Sequence, residues 1–228
     1  MLSRRKMILG PMIGTSTLWL CTGKWGNRLF AAQPNVVVEK PSRSTLEDLR
    51  TFDDFARENF ALPRYLHPGV GSLGLILSKL GEGRYDWCTP LNCLPFARTG
   101  GNGVHFSFLT RDEKLVSRTP VIMTNPGGGD GRSWIVGSDL HDFLSFGYHC
   151  GYFVMEQLAY SLEKTLATFV SPESPEADKD LLISEEKAPV MKAMRERLGL
   201  KPWETVNHFQ ELQDKFAGQM KYPPGLTE

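Results

Sequence analysis

The stretch from Pro90 to Tyr160 constrains the fold of this 228-residue chain more than any other. Its apolar runs are short and parted by glycine turns. Leu94 and Phe96, then Val104, Phe106 and Phe108, alternate with smaller or polar residues on either side of Gly100-Gly101-Asn102-Gly103. Glycine and asparagine accept positive φ, so a hairpin turn is expected there. Asp112-Glu113-Lys114 makes a second turn, and Val121-Ile122-Met123 and Trp134-Ile135-Val136 supply two more strands around the loop 125–131. After Val136 the pattern becomes helical. Ser138 or Asp139 caps a short helix through Leu140, Phe143, Leu144 and Phe146, stopped by Gly147. Gly151 precedes another helix, expected to turn Phe153, Val154, Leu158 and Ala159 inward. Strands first and helices after give an α+β fold with an antiparallel-rich sheet.

The flanks add helices. Leu46, Leu49, Phe52, Phe55, Ala56 and Phe60 recur at helical spacing, with Ser44 as the expected cap, Glu47 completing a capping box and Pro63 as the stop. Residues 64–83 hold a Leu/Ile run among glycines, which must be buried but has no clear period. The composition shifts at the acidic loop 171–180. Two amphipathic segments follow, roughly Glu185–Leu198, with Pro189 in the first turn, and Pro202–Phe216.

Charge separates the two ends of the chain. There are 26 basic and 26 acidic side chains, but Arg4, Arg5, Lys6, Lys24 and Arg28 all fall in residues 1–32, which hold no acid. Taking those five away leaves 21 bases against 26 acids, a balance of −5. A mildly acidic body lacks the electrostatic footprint of a nucleic-acid binder and suits a basic protein partner. Arg4-Arg5 directly before a moderately apolar run to Cys21 looks like a twin-arginine export signal over residues 1–32. Export would place the protein beyond the inner membrane, with no stable span once the signal is cleaved. The alternative is an uncleaved N-terminal anchor, for which the run is short. Of the four cysteines, Cys88 and Cys93 are close enough for a local disulfide in an exported protein, or are small buried hydrophobes.

Taken in order, Leu94-Pro95-Phe96-Ala97 before the turn, Val104–Leu109, Thr119-Pro120-Val121-Ile122, Val136-Gly137-Ser138-Asp139-Leu140 and Gly151-Tyr152-Phe153 resemble the SUKH superfamily, the Smi1/Knr4-like domains. The resemblance implies a SUKH-like α+β domain over residues 33–170, its central sheet flanked by helices, with 171–228 as linker and C-terminal helical extension. It also implies non-catalytic protein binding. Many bacterial members look like immunity proteins that neutralise a cognate toxin, while fungal relatives act in cell-wall regulation. The family has no shared catalytic residues to carry over, and its contact residues vary; no cofactor or metal is expected. The C-terminal extension and the export signal depart from the group's usual pattern.

The residues themselves offer few chemical motifs. The loop Pro126–Gly131 lies between strands and lacks the Gly-Lys-Ser/Thr ending of a phosphate loop. His141, His149, Cys88, Cys93 and Cys150 lack zinc-site spacing, and Ser72 lacks the nucleophile-elbow frame. Glu156 reads as a locally paired or solvated acid. Arg84, Tyr85 and Trp87 form one aromatic and basic cluster, and Tyr148, His149 and Tyr152 a second. Such residues anchor interfaces, so Arg84, Tyr85, Trp87, Tyr148 and Tyr152 are the candidate partner-binding residues, with packing at the sheet edge as the alternative for Trp87. The alternative function is an envelope hydrolase or carbohydrate-active accessory protein.

Overall fold

Thr45, not Ser44, starts the first helix. In the computed structural model, which describes residues 43–111, 114–116, 118–127 and 133–224, helix α1 spans Leu46–Asn59. Thr45 accepts from the Asp48 amide, while the Asp48 carboxylate accepts from the Thr45 amide at 2.8 Å, a capping box one residue later than expected. Ser44 is needed elsewhere: its amide and hydroxyl both meet His141 Nδ1, which ties the entry of α1 to the following layer. The expected export signal, Cys21 and the lead-in up to residue 42 lie outside the described residues.

Five strands follow, β1 (Ile76–Leu77), β2 (Cys93–Arg98), β3 (His105–Leu109), β4 (Val121–Thr124) and β5 (Ser133–Gly137), in an antiparallel sheet whose spatial order is the chain order. With helices α2 (Leu140–Phe146), α3 (Leu162–Val170), α4 (Ala188–Leu198) and α5 (Asn207–Phe216), the fold is α+β with an antiparallel sheet and C-terminal helices. Every residue of β3 and β4 is buried, so the sheet's inner strands are covered on both faces. One face carries Phe106 and Phe108. Phe106 packs 4.8 Å from Phe143 of α2, and Phe108 stacks on Phe96 at 4.4 Å. His105 and Ser107 point the other way, and the segment from Ser78 to Asn92 lies over His105.

The residues after Val170 are no appendage. Residues 39–228 form one compact unit, and Val190, Met191, Met194, Leu198, Trp203, Phe209 and Leu212 belong to its single core. Trp203 stacks on Phe146 at 4.2 Å, while its indole N–H donates to the Asp142 carbonyl. The helices of the extension expected over 171–228 therefore pack into the same core, reached through a largely exposed stretch after Val170. α5 also closes the sheet. Its Gln213 side chain accepts from the Ile135 amide at 3.0 Å and donates to the Ile135 carbonyl at 2.8 Å, mimicking a sixth strand on β5. A free edge invites foreign strands, and this one is capped.

Two further expectations shift, and the alternative left open at the cysteines is decided. The helix expected after Gly151 is a 3₁₀ helix, Phe153–Ala159, in which Met155 and Leu158 are buried and Phe153 faces outward. The fifth helix begins at Asn207 rather than Pro202, because Trp203 leaves the helical path to reach Phe146. Cys88, Cys93 and Cys150 are free thiols buried in the interior, and burial pushes Cys93 up to about 12. They behave as small hydrophobes, and Cys88 and Cys93 form no disulfide.

Candidate functional site

The glycine turn between β2 and β3 is the centre of the surface most suited to binding. Gly100 (φ +91°), Asn102 (φ +50°) and Gly103 (φ +73°) occupy the left-handed region, which only glycine and asparagine enter at low cost. The missing side chains also leave the backbone open to aromatic rings. A β-carbon on Gly101 would stand 3.3 Å from Phe153 Cε2, and one on Gly103 would stand 3.2 Å from Pro126 Cγ and 3.3 Å from Tyr85 Oη. One on Gly127 would lie 3.7 Å from Tyr160 Oη. Phe153, Tyr85 and Tyr160 thus surround the β2–β3 turn and the neighbouring Pro126-Gly127 segment that follows β4. Each remains half open to solvent, at 45%, 40% and 60%. Asn102 Nδ2 donates to Glu156 at 3.2 Å, which joins the turn to the 3₁₀ helix.

Tyr85 is fixed from beneath by a buried polar chain. Its amide donates to Thr89 Oγ1 at 2.9 Å, and Thr89 Oγ1 stands 2.9 Å from His105 Nε2. His105 Nδ1 lies 2.9 Å from the Gly103 carbonyl, which can only accept, so the proton sits on Nδ1 and Nε2 receives the Thr89 hydroxyl. Burial holds the His105 imidazole below its ordinary pKa, partly opposed by that carbonyl. Both nitrogens are occupied by structure, and the ring supports Tyr85 at a centroid distance of 5.3 Å. The histidine positions the face.

Beside this face opens a groove of about 810 Å³. Ile76, Leu77, Pro95, Ala97 and Val104 give it apolar lining, and His67, Lys79, Glu82, Arg98 and Asn102 bring polar groups to it. No hydrogen-bonded acid–base pair forms among these groups. A serine and a histidine do meet at Ser44 and His141, 3.0 Å apart, but Ser44 is buried and also donates its amide to the same nitrogen. That contact fastens α1 to α2. Among the described residues no cluster of three His, Cys, Asp or Glu side chains is arranged to hold a metal, and no helix is long and apolar enough to cross a membrane.

The five candidate partner-binding residues divide. Tyr85 belongs to the turn face, and Trp87, two residues on, is 53% exposed. Arg84 is turned back, donating to the Leu91 carbonyl at 3.2 Å. Tyr148 lies under the Arg195 guanidinium, 4.0 Å from its centroid, in a separate cluster with His149. Tyr152 is wholly buried, its hydroxyl donating to the Leu144 carbonyl at 2.9 Å, and it has no surface to present. Phe153, Tyr160 and Asn102 were not singled out from the sequence. Only the three-residue spacing of Met155 and Leu158 marks the 3₁₀ helix that turns Phe153 out.

In comparisons with known proteins, no family model matches the chain, and no curated protein or solved structure gives a significant match.

Proposed function

We propose that this chain is a non-catalytic protein-binding domain of SUKH type, acting as an immunity-like or regulatory factor outside the cytoplasm. The observation that carries the reading is the row of half-exposed aromatics, Phe153, Tyr85 and Tyr160, laid against glycine backbone, with Trp87, two residues from Tyr85 in the chain, exposed as well. Large rigid side chains that stay in water in the free protein gain most when a partner covers them. The five-stranded antiparallel sheet packed against helices supports the SUKH resemblance, and the basic residues 1–32 support a partner met beyond the inner membrane.

The test is comparative capture. The tagged chain, its Tyr85→Ser/Trp87→Ser/Phe153→Ser variant and a Tyr65→Ser control are exposed to envelope and secreted proteins of the producing cell. A discrete protein retained by the parent and the control, and lost by the triple variant, supports the proposal. Equal retention by all three removes this face from the function, and turnover of an envelope substrate by the parent would point to the hydrolase instead.

A further inference from the structure

The groove beside the aromatic face has a charge sign opposite to that of the body. Residues outside the leader balance at −5, as counted from the sequence. Yet the groove is lined by two cations, Lys79 and Arg98, against the single acid Glu82, with His67 beside them. None of these four side chains has an ion-pair or hydrogen-bond partner among the described residues. Unpaired cations beside an apolar floor of Ile76, Leu77, Pro95 and Ala97 are poised for a ligand that carries both carboxylates and apolar groups.

We propose that this groove takes a short acidic segment of a protein partner. The proposal rests on the protein-binding reading and narrows it: the carboxylates engage Arg98 and Lys79, and neighbouring apolar side chains rest on the floor. The volume of about 810 Å³ falls within the range of roughly 300–1,000 Å³ typical of ligand pockets, enough for a few residues rather than a whole domain. The turn supplies Asn102 and the Gly100–Gly103 backbone as additional polar contacts along one wall. The chain's own leader is no match, since its five charges are all basic. A nucleic-acid strand fits worse than a peptide. It needs a track of cations, whereas two permanent cations flank one acid here and the body repels phosphate. The basic partner expected from overall charge is thus replaced, at this groove, by an acidic one. Local charge decides what a groove of this size meets.

A random seven-residue peptide library displayed on phage tests this with the full chain as bait. Peptides enriched in aspartate and glutamate, interspersed with apolar residues, are expected. Synthetic copies should bind the Lys79→Glu/Arg98→Glu variant at least tenfold more weakly and the Glu82→Lys variant more tightly, with affinity falling as salt rises. Lys79, Glu82 and Arg98 line the open groove, so both variants should keep the parent's melting temperature. Selection of basic peptides, selection of none, or equal binding of acidic peptides to parent and both variants overturns the proposal. Competition by an oligonucleotide as effective as the unlabelled peptide overturns it in favour of a general anion site. Tyr85 also lines the groove, so partner capture by a Trp87→Ser/Phe153→Ser variant, which leaves the groove lining untouched, reads the aromatic face separately, and the groove can fail while that face stands.

Discussion

At the scale of the residue, glycines and histidines carry the sharpest consequences. Gly103 adopts φ +73°, and an added β-carbon would crowd Pro126 and Tyr85. Gly103→Ala should therefore cost about 1–2 kcal/mol in denaturant melts and disturb Tyr85. Gly137 presents a different problem. A β-carbon there would sit 2.5 Å from the Phe143 backbone nitrogen, which has nowhere to move, so Gly137→Ala should cost roughly 3 kcal/mol or more. An equal, small loss at both glycines would contradict this distinction. His105, His141 and His149 are all held below the ordinary histidine pKa, chiefly by burial; nearby charge from Arg195 adds to this at His149, and Asp139 and Asp142 oppose it at His141. Above about pH 6.5 these side chains are neutral folded and unfolded, so their contribution is complete. As pH falls below that value the unfolded chain takes up protons that the folded chain refuses, and stability declines. Urea melts at pH 7.5 and 5.5 should show the loss, with a shallower decline in His105→Gln; an unchanged or rising stability at pH 5.5 would contradict it.

At the scale of the element, the strands were legible because their signals are local. The glycine turn, the apolar alternation and the order of β2 to β5 all stand in the sequence within a few residues of where the structure places them. What escaped depends on distant partners. Ser44 reads as a cap until His141 claims it, and Trp203 reads as helical until Phe146 draws it away. β3 reads as half-buried, yet His105 and Ser107 are covered too, because the segment over His105 has no periodicity of its own. The candidate face was legible only at Tyr85 and Trp87. Phe153 was assigned inward by α-helical spacing, and the 3₁₀ geometry reverses it. Gln213 is a further case, an exposed-looking helix residue that occupies both polar groups of Ile135. Gln213→Ala should cost about 1–3 kcal/mol, since both groups lose their partner beneath α5. Gln213→Glu should restore only the amide contact and about half the loss. A neutral Gln213→Ala in thermal melts would show that β5 needs no cover.

At the scale of the molecule, one core links the sheet to the C-terminal helices across the expected boundary at 170/171. Val190, Met191, Met194, Leu198, Trp203, Phe209 and Leu212 each contribute on the order of 1.5–3 kcal/mol by burial, together comparable with or above the 5–15 kcal/mol that separates folded from unfolded domains. A chain ending at residue 170 should therefore show no cooperative melting transition; a sharp transition near that of the whole chain would restore the two-part division. The central claim lies on the surface of this unit, at the glycine turn. Site-specific photocrosslinking in the producing cell tests it most directly, with benzoylphenylalanine placed in turn at positions 87, 153 and 65. One and the same protein adduct is expected from positions 87 and 153 and none from position 65. Adducts from position 65 alone, or none from either position on the face, would contradict it.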